Sequence, residues 1–352
     1  MVSGRFTRAW MWLWVPLCLV GGIISLELAL QVRAAVTERL RAEAPPATTY
    51  QRLRAAYRPF TVQHVHPLFS FFFPLEPAER LAMGNAVCSL DADGYRAPGP
   101  AASKGRKLAV LLGGSTAFGH FASSNATTIT GYLNTLQHDY FFVNAGVPSW
   151  NSTQELMRLS LAVVDLRPAL VVTLDGANDA ALVDVGMQAD GHVRYPPGTP
   201  ENFDQLESIV DDARDPWLKL TLPRLFPEIA NRIDKYSHHV DPVIPVAPAI
   251  IRAAAARYVS NEVQMAAITE KAGGRFVAVF QPIAGLHAHV SSPDVDKAEY
   301  ADKRVFHDAV MEARPEDLPL HDFSAVFDQE FAAVPVAGDD IAADTIFVDS
   351  VH

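Results

Sequence analysis

Four short segments of this 352-residue chain combine residue types that could carry out acyl transfer, and each follows an apolar run. The first is Gly113-Gly114-Ser115-Thr116-Ala117-Phe118-Gly119, directly after Leu108 to Leu112. Glycines ahead of a serine permit a tight turn that exposes the hydroxyl, and the peptide N–H groups around it can face a developing oxyanion. The second, Asn144-Ala145-Gly146, follows Phe141 to Val143 and offers a bare backbone N–H at Gly146. The third, Asp175-Gly176-Ala177-Asn178-Asp179, follows Leu170 to Leu174 and supplies a side-chain N–H at Asn178. The fourth, Asp349-Ser350-Val351-His352, sets a carboxylate three residues before an imidazole, so that the acid can orient the ring and the ring can take the serine proton. Singly, each has an ordinary explanation: a glycine-flanked serine is commonly a turn, Asn178-Asp179 a helix cap, and Asp349 with His352 a surface pair. Their order, each beyond an apolar run, and their completeness as an acyl-transfer set carry the functional expectation.

The elements that must position these groups alternate in type. Leu108 to Leu112, Phe141 to Val143, Leu170 to Leu174 and Phe276 to Phe280 are strand-like, and Thr345 to Val348 is a last apolar run before Asp349. Between them, Ile129, Tyr132, Leu133 and Leu136 repeat at helical spacing, Gln154 to Val164 is helix-like, and Ala254 to Lys271 is a helix stopped by Gly273-Gly274. Such alternation predicts an α/β fold, a parallel sheet covered on both faces, with functional groups gathered beyond the carboxyl ends of its strands. The proline-rich stretch from about Gly186 to Ala253 breaks the rhythm and predicts an insertion or lid. From Ala34 to about Pro100, prolines and aromatic residues, including Pro67 to Pro74 and Asp93-Gly94-Tyr95-Arg96, predict a stalk and lead-in packed on the main domain. The expected division is an N-terminal anchor over 1–33, the stalk and lead-in over 34–106, and the main domain over 107–352 with its lid at about 186–253.

Together the four segments resemble the four sequence blocks of the SGNH/GDSL hydrolase superfamily, over roughly Lys107 to the end of the chain. The resemblance implies a three-layer sandwich around a central parallel sheet, flavodoxin-like in its layers. It implies Ser115 as nucleophile and His352 as base, with Asp349 orienting that base. Its oxyanion hole would comprise the Ser115 backbone N–H, Gly146 and Asn178. Gly114 departs from the family's Gly-Asp-Ser, standing where the aspartate would be, a difference expected to bear on loop rigidity. The implied activity is that of a serine esterase or O-acyltransferase working through an acyl-serine, on acetyl or other acyl esters of extracytoplasmic polysaccharide. A lipid or small-ester hydrolase is the close alternative, and a catalytically impaired carbohydrate-binding module is the alternative of another class. Substrate choice is expected from the 186–253 insertion and the segment after Gln281-Pro282. In the family a closing helix follows the histidine, so a chain stopping at His352 is expected to be a truncated form.

Arg5 and Arg8 precede an uncharged run from Ala9 to Leu26, which continues past Glu27 to Val32. This is about the ~17 to 25 residues needed to span hydrocarbon. Trp10, Trp12 and Trp14 at its start suit the headgroup region, so the segment is expected to be a transmembrane signal anchor rather than a cleaved signal peptide. Arginines on the inner side place the bulk of the chain outside the cytoplasm, although Arg33, Arg39 and Arg41 oppose that orientation. The formal charge of −11, from 40 acidic and 29 basic residues, argues against nucleic acid as a partner. Two cysteines, Cys18 and Cys88, make no disulfide framework. The histidine pairs His64/His66, His238/His239 and His287/His289 lack matched acids or cysteines, so no metal or other cofactor is expected. Asn125 and Asn151 head Asn-x-Thr sequons, which matter only in a eukaryotic secretory pathway.

Overall fold

The computed structural model describes residues 21–36, 39, 49–61, 64–66, 68–181, 247–283, 286 and 297–326. The chain divides into two compact units, one of residues 1–47 and 201–242 and the other of residues 48–200 and 243–352. In the first, a helix α1 runs over 21–36. Its Ile23, Ile24, Leu26, Leu28 and Val32 are exposed. The expected anchor begins at Ala9, so its first half lies outside the described residues. No helix among the described residues is long and apolar enough to cross a membrane.

The second unit opens with α2 (Thr49–Tyr57), a short antiparallel pair β1 (His64–His66) and β2 (Ser70–Phe72), and α3 (Pro77–Ala82). The alternating part then runs β3 (Lys107–Gly113), α4 (Ser115–Phe118), α5 (Ile129–Leu136), β4 (Tyr140–Asn144), α6 (Ser152–Arg158), β5 (Leu170–Asp175) and α7 (Ala177–Ala181). It resumes with α8 (Pro248–Lys271), β6 (Arg275–Phe280), α9 (Lys297–Ala313) and β7 (Leu320–Asp322). The five strands β3 to β7 form one parallel sheet in the order β4-β3-β5-β6-β7. Counting from β3, this is the doubly wound order 2-1-3-4-5, whose chain direction across the sheet reverses between β3 and β5 and opens a crevice there. Right-handed crossovers put α5 on one face and α6, α8 and α9 on the other. The sequence expectation of a parallel α/β sheet therefore holds, with four of the strands where the apolar runs put them.

Other parts of the pattern differ. The fifth strand is Leu320–Asp322, too short and too polar to stand out as an apolar run. The last apolar run, Thr345 to Val348, lies outside the described residues. After Gln281-Pro282 the chain is not only loop, because α9 precedes that strand. Helix α8 starts at Pro248, where proline suits a first helical turn, so the helix begins inside the stretch expected as a lid. The rest of that lid, from Gly186 to Val246, lies outside the described residues. Finally, the helix expected over Gln154 to Val164 is α-helical only to Arg158 and continues as a π turn over Leu159–Val163.

Two apolar clusters hold the unit together. The larger joins Val110, Leu112, Val171, Phe276 and Ala278 of the sheet to Ala254, Tyr258 and Met265 of α8 and Phe306 and Val310 of α9. The smaller joins Tyr57, Phe60, Phe69, Phe72, Phe73 and Cys88 to Phe118, Val147 and Trp150. Through that second cluster the aromatic-rich segment ahead of β3 packs directly on the loops that follow β3 and β4.

Candidate active site

Ser115 begins the helical turn α4 immediately beyond the carboxyl end of β3, with Gly114 as its N-cap. Its side chain is buried. The turn is closed by Phe118 N–H on the Gly114 carbonyl at 3.0 Å and by Gly119 N–H on the Ser115 carbonyl at 3.0 Å. A serine at a helix start leaves first-turn N–H groups without intrahelical acceptors, aimed at whatever occupies the crevice.

The loops after β4 and β5 come up against this turn. Residue 146 must be glycine because a Cβ there would run into the Phe118 backbone nitrogen and lie 2.9 Å from the Ala117 carbonyl carbon. Residue 114 is equally confined, since a Cβ would sit 2.5 Å from Asn178 Nδ2 and 3.1 Å from the Trp150 carbonyl oxygen. Asn178 Nδ2 donates to that same Trp150 carbonyl at 2.7 Å, which fixes the amide and leaves its second N–H for another acceptor. The folding of β3, β4 and β5 into adjacent places thus brings Ser115, Gly146 and Asn178 together.

One detail departs from the role implied for Gly146. Its N–H donates to Asn144 Oδ1 at 3.1 Å, so an oxyanion would have to share or replace that bond. Asn144 is itself buried and holds the Ser115 turn from below, donating from Nδ2 to the Ala117 carbonyl at 2.8 Å. Asp349 and His352 lie outside the described residues. Among the described residues, Ser115 Oγ has no hydrogen-bond partner.

Several residues that build the site were not assigned to it from sequence. Arg96 is buried beneath the Ser115 turn and donates to the carbonyls of Phe118 at 2.8 Å and Gly119 at 2.7 Å, to Asn125 Oδ1 at 3.0 Å and to the Tyr57 hydroxyl at 2.7 Å. Arg158 is buried too; it lies over the rings of Tyr95, Phe72 and Trp150 at 4.7, 4.9 and 5.7 Å and donates to the Ala145 carbonyl at 3.1 Å. It therefore braces both the peptide before Gly146 and the tryptophan that holds Asn178. Gln281, at the end of β6, donates to Thr116 Oγ1 at 3.2 Å. Arginine in a lead-in segment or on a helix ordinarily marks a solvated face, and only the surrounding carbonyls and rings identify these two as interior braces.

Electrostatically, the loop after β5 is unusual. Asp175 and Asp179 are buried, and burial followed by the charge of Asp175 pushes Asp179 up to about 7. Ser152 donates to Asp179 through its N–H at 3.1 Å and its Oγ at 2.6 Å, which partly opposes that rise. Of the other residues noted in the sequence, His66, Asn125 and Asn151 have structural roles, and His238, His239, His287 and His289 lie outside the described residues. His66 Nδ1 accepts the N–H groups of Leu68 and Phe69 at 3.2 and 3.1 Å. Asn125 is held by Arg96 and Ser89, and Asn151 caps α6, so both sequon side chains have interior work. Among the described residues, no group of three or more His, Cys, Asp or Glu side chains could hold a metal ion.

No protein-family model matches the chain, and no curated protein matches it. The solved structures to which it is similar include a GDSL-like lipase from Bacteroides thetaiotaomicron, at 15% identity over 62% of this chain and 70% of that one, with a TM-score of 0.32. They also include a lipase/acylhydrolase from Enterococcus faecalis, at 14% identity over 63% of this chain and 79% of that one, TM-score 0.29. A third is an alpha/beta hydrolase enzyme from the metagenome of Lake Arreo, at 14% identity over 65% and 82%, TM-score 0.33. At such identities and TM-scores, the site stands on its own geometry.

Proposed function

We propose that this chain is an SGNH/GDSL-type serine hydrolase that cleaves or transfers ester-linked acyl groups through an acyl-Ser115 intermediate. The observation that carries this reading is the packing of the Asn178 amide against Gly114, next to the residue that starts the helical turn after β3. A hydroxyl, helix-start N–H groups and a fixed amide N–H then converge at the crevice where the sheet reverses direction, which is what attack on a carbonyl requires.

In the proposed reaction Ser115 Oγ attacks the ester carbonyl carbon while its proton passes to the His352 imidazole, oriented by Asp349. The negative charge that forms on the carbonyl oxygen is met by the Ser115 N–H and Asn178 Nδ2, with Gly146 N–H joining as it leaves Asn144 Oδ1. Collapse of the tetrahedral intermediate breaks the bond to the alcohol, which leaves with the proton from His352. Water or a sugar hydroxyl then attacks the acyl-serine, giving hydrolysis or transfer.

The finer assignment is an acetyl or other acyl ester of a polysaccharide outside the cytoplasm, with the catalytic unit tethered by the N-terminal segment. What supports the tether is the Ala9 to Val32 apolar run with its arginines and tryptophans, together with the exposed Ile24, Leu28 and Val32 along α1. Apolar side chains in that number favour lipid over water.

Labelling with a fluorophosphonate tests the reading most directly. The intact chain is expected to label at Ser115, and the Ser115→Ala variant to lose the label. A folded wild type that does not react, or a label that persists in Ser115→Ala, would overturn it.

A further inference from the structure

Four carboxylic acids from four elements meet in the interior against the Gly176–Asp179 turn. They are Glu155 of α6, Asp175 at the end of β5, Asp179 of α7 and Glu262 of α8, all buried. Asp179 is satisfied by Ser152, whose Oγ also accepts from Asn261 Nδ2 at 2.9 Å. Asp175 Oδ1 accepts from the Tyr258 hydroxyl at 2.6 Å, and Glu262 Oε2 from Thr173 Oγ1 at 2.8 Å. Treated as carboxylates, the rest have no donors: both oxygens of Glu155, Oδ2 of Asp175 and Oε1 of Glu262 are buried acceptors facing other acceptors.

The neighbouring charges do not relieve this. On α6, Arg158 is engaged with aromatic rings and the carbonyls of Ala145 and Gly94. On α8, half-buried Arg257 precedes Tyr258. On α9, Arg304 donates to the Leu286 carbonyl, His307 meets Asp322, and Lys303 is buried. Lys107 and Arg275 lie at the amino ends of β3 and β6, the opposite end of the sheet from Asp175. Among the described residues, the ion pairs are those of His307 with Asp308 and Asp322, and none reaches the four acids. Four buried, uncompensated negative charges would cost far more than protonation does. Glu155 and Glu262 both lie within hydrogen-bonding reach of Asp175, and a bond between two carboxyls exists only when one of them carries a proton.

We propose that Glu155 and Glu262 donate shared protons to a central Asp175 carboxylate, forming a proton clamp on the Gly176–Asp179 turn that keeps Asn178 in place only while it is protonated. The four acids are then positioning residues, and the part that concerns Asn178 rests on the function proposed above. Burial first, and the neighbouring carboxyls second, hold Glu155 and Glu262 well above the usual carboxylate range. The protons belong to the set rather than to one residue. For groups whose pKa is raised by folding, the stabilisation is complete below the unfolded carboxyl pKa of about 4 and is lost as pH rises through the folded values.

The test uses Glu155→Gln and Glu262→Gln, which keep shape and supply a permanent N–H toward Asp175. Melting temperature and hydrolysis of an aryl acetate are followed from about pH 5 to about pH 9. Wild type is expected to lose stability as pH rises, and each variant to lose distinctly less. In each variant the alkaline fall in kcat should move upward by about one pH unit, with KM nearly unchanged. Alkaline limbs identical to wild type in both variants would overturn the clamp. So would a wild type destabilised by EDTA near neutral pH, because a bound cation would then be compensating the acids. If neither variant folds, wild-type stability that is flat or rises over this pH range overturns it alone. A variant effect on melting temperature in a protein that hydrolyses no ester at any pH would support the clamp and refute the Ser115 reading.

Discussion

Asn178 and Gly114 are in direct contact: the space a Cβ on Gly114 would need lies 2.5 Å from Asn178 Nδ2. A side chain at position 114 and the Asn178 amide are therefore alternatives for one volume. This gives glycine at position 114 a steric reason, where the sequence suggested only loop rigidity.

Replacing Gly114 by alanine should test that contact. Its φ of −81° is negative, so the substitution does not call for the left-handed backbone that favours glycine. The methyl group would displace the Asn178 amide, and a shift on the order of 1 Å can cost ~10²-fold in rate. Turnover of an aryl ester is expected to fall by about that factor while the melting temperature changes little. Undiminished turnover would mean that Asn178 does not need its present place.

Removal of the donor itself gives the reference value. Asn178→Ala is expected to lower kcat by ~10² to 10³ with the fold intact, the usual consequence of losing one oxyanion donor. Steady-state kinetics beside circular dichroism would check both halves. Turnover equal to wild type would take Asn178 out of the site.

Arg96 should matter for stability more than its place in a lead-in segment suggests. Arg96→Met would take from the carbonyls of Phe118 and Gly119 their bonds at 2.8 and 2.7 Å, leaving them the Asn144 amide at 3.3 Å and the Tyr57 hydroxyl at 2.9 Å, and would free Asn125 Oδ1 and the Tyr57 hydroxyl of their guanidinium partner. The expected loss is roughly 3 kcal/mol, read from the midpoint of urea unfolding. Arg96→Lys should recover only part of it, because an ammonium cannot span the same fork of acceptors.

At acid pH a different pair is exposed to test. Asp322 bonds His307 Nε2 through Oδ2 at 2.9 Å and tethers β7 to α9. Burial alone would raise its pKa, but the hydrogen bonds from Ser324 and the His307 partner outweigh that and lower it. A depressed folded value means stability that is present above the unfolded pKa of about 4 and lost as pH falls through the folded one. Asp322→Asn should therefore reduce the acid limb of a melting-temperature profile and leave the alkaline limb alone. A shift of the alkaline limb instead would assign the pH response to other groups.

Read alone, the sequence determined the strands β3 to β6 and the serine, glycine and asparagine segments that follow them, because apolar runs bounded by glycine record local burial and turn geometry directly. It also exposed Gly114 as a departure, without the reason for it. Tertiary structure decided the rest. Leu320–Asp322 is a strand only because β6 offers it an edge to pair with, and three residues carry no periodicity by which to be recognised. Arg96 and Arg158 are interior braces only because carbonyls and rings from distant segments close around them. Glu155 and Glu262 lie 107 positions apart in the sequence. Nothing local distinguishes either from a surface glutamate until α6 and α8 bring them onto Asp175, where no ion pair among the described residues compensates them.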